Sequence, residues 1–319
     1  MRPAVAVSVS LLALAAGCGE IGISLDSDSG TGSAADAAPP PAPVVDGGSS
    51  EPDAAEPEPD AGLPACRWGE LSADPFAQVN GPDYEESGSL TGDGLSIFFT
   101  RFPVTGQDFT ADVFEADRES VDQPFGAARP VAGGSKAEED EFELEISGDG
   151  TEIFFLRLSD DILSARRPAP GAPFGTVATT GLLGFSPSLS GDGLALYFID
   201  LDFTRIMRAT RTAIGQPWET PVDVGGVGGF DAIDVSADQL QLLLSRPADG
   251  ISQTVAIASR ASLEEPFGAP ISAGDVFRLE DDIASFVHAS WDADRRHIVV
   301  SVELLQGDTG ADLYLSTCE

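Results

Sequence analysis

Residues Leu189–Phe198 read LSGDGLALYF. The Asp-Gly pair suits a tight hairpin turn that needs positive φ. Alternation over Ser186–Ser190 before it, and the apolar run after it, read as two strands. The pattern recurs as LTGDGLSIFF from Leu90, ISGDGTEIFF from Ile146, VSADQLQLLL from Val235 and WDADRRHIVV from Trp291. A proline-aromatic pair recurs with it: Pro75-Phe76, Pro124-Phe125, Pro173-Phe174, Pro217-Trp218 and Pro266-Phe267, at intervals of 49, 49, 44 and 49 residues. A third element lies between these, as in Asp112–Ala116, Asp161–Ala165, Arg205–Ala209, Thr254–Ala258 and Asp312–Ser316. Three registers therefore agree on five copies.

Each copy holds two strands around the turn, a third after a loop, and a piece at the proline-aromatic pair. Proline has no amide to donate, so that piece is expected to be the outermost strand. No long helical stripe occurs in residues 66–319. Four-stranded units repeated at this length specify an all-β chain, a five-bladed β-propeller. The chain enters with a last-strand element, Pro75-Phe76, and leaves after a third-strand element, Asp312-Leu313-Tyr314. The last blade is therefore expected to be closed by the N-terminal strand, which brings Cys66 near Cys318. In an exported protein the two would form a disulfide across the closure. The alternative is two unpaired thiols.

These copies resemble the WD40-like (PD40) repeat of TolB-type propellers, through the Ser-x-Asp-Gly turn, the apolar strand after it and the Asp-hydrophobe third strand. The likeness covers most of residues 82–319. It departs at Ala237-Asp238-Gln239 and Ala293-Asp294-Arg295, where Gly-Asp-Gly is lost, and in counting five blades where TolB-like proteins have six. The resemblance implies an envelope interaction module and nothing catalytic.

The first 65 residues differ from the rest. Met1-Arg2-Pro3 is a short positive start, and Ala4–Ala16 is an apolar run too short to span a bilayer. It ends Leu14-Ala15-Ala16-Gly17-Cys18, which resembles the lipobox of bacterial lipoproteins and implies lipid attachment at Cys18. Ala15 stands where that family prefers Leu, and an ordinary secretory signal is the other reading. Residues 1–18 are thus read as a lipoprotein-type signal peptide. Residues 19–64 are read as a disordered acidic linker rich in Pro, Ala and Asp, with too little apolar surface to offset its ordering entropy. Residues 65–319 are the propeller. The expected location is the cell envelope, at the outer membrane, with membrane contact only through the lipid anchor.

The chain carries 53 acidic and 17 basic side chains, a net charge of −36. Ten of the acids lie at 19–65 and Arg2 is the only base before Cys66, so residues 66–319 retain a charge of −27. Such a surface repels nucleic acid and anionic headgroups. A monomer with an envelope protein or a glycan as partner is the expectation.

Chemistry is sparse. The Asp column (Asp93, Asp149, Asp192, Asp238, Asp294) recurs in every copy and reads as turn formation. The first strands align Ser87/Ser89, Glu143/Glu145, Ser186/Ser188, Ala232/Asp234 and His288/Ser290. Inner strands converge on the axis, so Glu143, Glu145, Asp234 and His288 would gather near the channel mouth. The acidic runs Glu138–Glu141 and Glu280–Asp282 lead into the same strands. Hard oxygen ligands suit Ca²⁺, while a solvated acidic rim is the plainer account, and no cofactor is otherwise implied. A glycosidase using axial carboxylates is the competing reading, resting on fold analogy. His288 and His297 are the only histidines, and no Gly-x-Ser-x-Gly elbow is present. Trp68, Trp218 and Trp291 read as blade core or as sugar platforms. The sequence alone therefore favours a non-catalytic binding or scaffolding module.

Overall fold

The computed structural model describes residues 68–103, 110–133, 140–157, 161–247, 255–272, 283–292, 296–304 and 310–318. All lie in one compact unit, Asp60–Glu319. The expected signal peptide, Cys18, the linker, Cys66, Glu138, Glu139, Glu280, Asp281, Asp282 and Asp294 fall outside the described residues.

The unit is an all-β propeller of five antiparallel blades. Blade one holds β1 (Tyr84–Leu90), β2 (Ser96–Phe102), β3 (Asp112–Asp117) and β4 (Arg129–Pro130). Blade two holds β5 (Phe142–Ile146), β6 (Glu152–Leu156), β7 (Asp161–Arg166) and β8 (Ala178–Leu183). Blade three holds β9 (Phe185–Leu189), β10 (Ala195–Ile199), β11 (Ile206–Thr210) and β12 (Val222–Asp223). Blade four holds β13 (Phe230–Val235), β14 (Gln241–Pro247), β15 (Val255–Ser259) and β16 (Ile271–Ser272). Blade five has β17 (Ile283–Trp291), β18 (His297–Leu304) and β19 (Ala311–Thr317). Its fourth position is filled from the other end of the chain: Trp68 pairs with Cys318 and Ser72 with Leu315. The amides of Ser72 and Leu315 exchange hydrogen bonds of 2.9 Å each way. The N-terminal segment closes the ring as expected, but through residues ahead of Pro75-Phe76 and not through that pair, which lies on a 3-10 turn.

The core lies between blades. Second strands are buried on both faces, so alternate residues feed opposite seams. Ile153 and Phe155 of β6 pack with Phe98 and Val113 of blade one, while Phe154 and Leu156 pack toward blade three. Val299 of β18 joins the blade-one side, whereas Ile298, Val300 and Val302 join Leu243 of blade four.

The Asp column makes the turns. Asp93, Asp149, Asp192 and Asp238 each accept a hydroxyl two residues back, from Thr91, Ser147, Ser190 and Ser236 at 2.6–2.7 Å. Each also accepts the amide two residues on, at 2.9–3.0 Å. Burial works against the charge of Asp149 and Asp192, but these hydrogen bonds outweigh it and hold both carboxyls below the ordinary range. The residue after each Asp is left-handed, and in copy four the role falls to Gln239 (φ +64°) in place of glycine.

One expectation needs correction. The proline-aromatic pairs are not on the outermost strands, which begin about four residues later in copies one, two, three and four. Phe125, Phe174 and Phe267 are buried, so each aromatic is an anchor and its proline stiffens the approach to the edge; Phe76 is buried too, but follows its edge residues Trp68 and Ser72.

Candidate functional site

The axial residues form a closed hydrogen-bonded belt through all five blades. Ser89 of β1 donates to Glu145 Oε2 of β5 at 2.8 Å. Glu145 Oε1 accepts the Leu189 amide of β9 at 2.9 Å. Ser188, beside it, donates to Asp234 Oδ1 of β13 at 2.6 Å. Asp234 Oδ2 accepts the Trp291 amide of β17 at 2.8 Å, and Ser290 donates to the Gly88 carbonyl of β1. Serine and acid alternate because each acid needs donors from the neighbouring blade.

Glu145 and Asp234 are both buried, at 8% and 4% exposure. Burial pushes Asp234 up to about 7. Burial, and then the Asp234 charge, pushes Glu145 well above the carboxylate range. The two acids meet the same kinds of donor, one hydroxyl and one amide each, and burial pushes both toward the neutral form.

The second axial ring is less regular. Glu143 is part-exposed with φ +50°, Ser87 and Ser186 share that left-handed backbone at equivalent positions, and Ala232 is the fourth member. The Ser186 amide donates to Glu143 Oε2. His288 completes the ring at 8% exposure, its Nδ1 buried without a hydrogen-bond partner. Burial holds its imidazole down at about 4, so it is neutral at physiological pH. The four residues singled out from sequence lie on the first strands of their blades, Glu143 and Glu145 on β5, Asp234 on β13 and His288 on β17. Two of them, Glu145 and Asp234, spend both carboxylate oxygens holding blades together. Among the described residues no group of three or more His, Cys, Asp or Glu is arranged to hold a metal ion. The acidic run is not a simple rim either: Glu141 is buried and pairs with Arg157 at 2.9 Å, and Asp140 accepts the Ala111 amide at 3.0 Å.

Sequence reasoning missed an arginine column. Arg118, Arg167, Arg211 and Arg260 stand seven residues before Phe125, Phe174, Trp218 and Phe267. Each Nε donates to a turn carbonyl, of Gly94, Gly150, Gly193 or Gln239, at 2.6–2.9 Å. Each guanidinium lies over its aromatic ring at 4.3–4.7 Å. Three also reach the preceding blade: Arg167 to Glu115 (3.1 Å), Arg211 to Glu152 (2.6 Å) and Arg260 to the Tyr197 hydroxyl (2.6 Å). The signal was present as the same 49, 44, 49 spacing. Trp218 serves this latch, while Trp68 and Trp291 are core.

No family model matches the sequence, and no curated protein matches it either. Solved structures do match in fold. The catalytic domain of a Coprinopsis cinerea GH62 α-L-arabinofuranosidase superposes with a TM-score of 0.54 at 10% identity, over 80% of this chain and 98% of that one. An α-L-arabinofuranosidase from Podospora anserina, solved with cellotriose, gives 0.53 at 11% identity, over 80% and 97%. TolB from Acinetobacter baumannii gives 0.46 at 15% identity over 80% of this chain and 64% of its own. At these identities the likeness establishes the fold alone. It nevertheless corrects one expectation: the absence of catalysis inferred from sequence is not supported, because chains of this architecture include catalytic domains.

Proposed function

We propose that this chain is an exported, lipid-anchored propeller of the cell envelope, tethered through Cys18 and the acidic linker, that presents a binding surface to an envelope protein or glycan. The observation that carries the reading is the axial belt. It turns the acids nearest the axis into interblade acceptors, which makes the wheel a stiff platform and leaves recognition to its strongly acidic surface. His288, whose buried Nδ1 has no hydrogen-bond partner, is the irregular member of the second ring that a polar ligand would meet. The Cys66–Cys318 disulfide belongs to the same reading, supported by the pairing of Trp68, two residues after Cys66, with Cys318.

A carbohydrate-active reading draws support from the fold likeness to arabinofuranosidases. Its carboxylates would not be Glu145 and Asp234, which are walled in by the belt. Cell fractionation with Cys18→Ala tests the tether: the parent partitions with membranes and the variant is released. Retention of the variant in the membrane fraction would refute anchoring. Turnover of an aryl α-L-arabinofuranoside that is lost in Glu143→Gln would replace the binding reading by the enzymatic one.

A further inference from the structure

We propose that the cleft between the outer parts of blades two and three is a docking site for an extended peptide segment in which an apolar side chain is flanked by lysine or arginine. The inference deepens the binding reading above, and rests on it, by naming a surface and a partner chemistry.

The cleft exists because β8 is unlike the other outer strands. It runs for six residues, whereas β4, β12 and β16 run for two. Its pairing with β7 shifts register between Asp161 and Leu163. Gly181 takes φ +74° at the bulge, and a Cβ there would meet nothing within 4 Å. The bulge swings Leu183 outward to 56% exposure. Across from it, the β10–β11 loop presents Leu201 at 44% exposure. Between them lies a cleft of about 360 Å³ floored by Leu182, Phe198 and Met207. Exposed apolar side chains at the lip of a concave site are poor solvent surface and good contact surface.

The far wall is rigid. Asp200 accepts the amides of Thr204 (2.8 Å) and Arg205 (3.0 Å), together with Arg205 Nε at 2.8 Å. Phe203, at φ +56°, stacks on Phe185 at 4.8 Å. A wall already held in place spends little ordering entropy on binding.

Charge selects the occupant. Arg205 sits among Asp200, Asp223 and Asp202, all of which raise its pKa. Asp200 and Asp202 against Arg205 leave the lining at −1, with Asp223 a further acid beside Arg205, on a chain that is itself at −36. A cationic segment is attracted and an anionic one repelled. The mode is side-chain docking and not strand addition. The Gly181 and Leu182 amides on β8 are already capped by the hydroxyls of Thr179 (2.9 Å) and Thr180 (3.2 Å), so that edge offers few free donors.

The test is fluorescence anisotropy of the full chain with three short peptides bearing a neutral dye: Gly-Lys-Leu-Lys-Gly, Gly-Lys-Ser-Lys-Gly and Gly-Glu-Leu-Glu-Gly. Only the first is expected to bind saturably, and binding should weaken with added salt. Leu183→Ser, Leu201→Ser and Asp202→Lys each alter an exposed side chain and leave the fold intact. Each should weaken binding about fivefold to tenfold, the scale of one exposed apolar or ionic contact. Equal binding of the serine peptide, or parental affinity in all three variants, would overturn the proposal. So would competition by 4-phenylbutylammonium at the affinity of the peptide, which would make the cleft a small-molecule pocket. If no peptide binds while Cys18-dependent membrane retention persists, this site is refuted and the tethered-platform reading stands.

Discussion

Replacing Asp234 by asparagine isolates the electrostatic cost of the belt. Asp234 is buried and pushed from 3.8 up to about 7. The folded state therefore holds a proton that the unfolded chain has released between those values. Stability contributed by this group is fully present below the unfolded value and is lost as pH rises through the folded one. At ~1.4 kcal/mol per pH unit, the loss approaches about 4 kcal/mol over the full window. Other groups titrate in the same range. His288, held down at about 4, contributes stability that is lost as pH falls from 6.5 toward 4, opposite in sign. Glu85, pushed to about 7 by burial that outweighs its partner Arg101, acts in the same sense as Asp234. The parent's own pH profile is thus a compensated sum, and the informative quantity is the difference between Asp234→Asn and parent. Asparagine matches the neutral acid: its carbonyl accepts from the Trp291 amide and its NH₂ donates to Ser188. At pH 5, about 1.2 units above the unfolded value, the variant should already be more stable by about 2 kcal/mol, give or take one hydrogen bond's worth. By pH 8 the margin should reach about 4 kcal/mol, the whole window of lost linkage. Urea unfolding followed by far-UV circular dichroism and tryptophan fluorescence reads this directly, and starting at pH 5 avoids the isoelectric region near 4.1. A difference that stays constant with pH, or a variant that is weaker at pH 8, would show that the ionised carboxylate is favourable in the belt and would refute the reasoning.

Glu145→Gln should act in the same sense, gaining on the parent as pH rises from 5 to 8, because the amide reproduces the neutral acid while the unfolded glutamate ionises; the same urea series measures it. Arg211→Ala should cost about 3–5 kcal/mol, since it leaves the buried Glu152 carboxylate without its partner. The double change Arg211→Met with Glu152→Met should cost less in the same denaturation assay. Cys318→Ser should lower stability by about 2–5 kcal/mol under oxidising conditions. The same gap should close when parent and variant are compared in reductant.

The propeller was legible because repetition acts at a scale where local signals reinforce each other. Five Asp turns, an alternating first strand and a fixed spacing leave few other folds. That the N-terminal segment closes the ring was legible in the missing last strand after Asp312–Tyr314, although Trp68 and Ser72 make the closure and not Pro75-Phe76. What escaped was how polar groups divide their labour across seams. Glu145 and Asp234 read as exposed ligands on an inner strand, and nothing local says that Ser89 and the Trp291 amide will claim their oxygens. Contacts between residues 44 to 57 positions apart depend on blade-to-blade register, which the sequence of a single blade does not encode. The arginine column was different. It carried the repeat spacing, at intervals of 49, 44 and 49 residues, and was missed although it could have been read. The β8 bulge and its cleft left little trace beyond Gly181 and an unusually long run of small residues.

Blade five departs from its siblings at the seam where the ring closes. At the turn, Asp292 stands where the other copies have Thr91, Ser147, Ser190 and Ser236. Its Oδ1 does the hydroxyl's work, accepting the Arg296 and His297 amides at 2.8 and 3.0 Å, and its Oδ2 meets His297 Nδ1 at 2.5 Å. At the end of the third strand, Cys318 stands where the others have arginine, and its amide makes the equivalent bond to the Arg296 carbonyl at 2.8 Å. Across the seam, Arg118 keeps its turn and its aromatic, but its Nη2 is buried without a hydrogen-bond partner, unlike the Arg167 and Arg211 guanidiniums. The non-covalent latch is therefore weakest at the one blade built from both ends of the chain. That blade alone must also resist loss of its outer strand by fraying, because no covalent loop joins Ser72 to β19. The proposed bridge from Cys318 to Cys66 would supply what an arginine at that position could not. An arginine holds a strand that is already tethered, whereas a disulfide removes the freedom of the untethered chain end. The cysteine thus marks the position where the repeat gives up its latch, and it falls where the topology makes that latch insufficient.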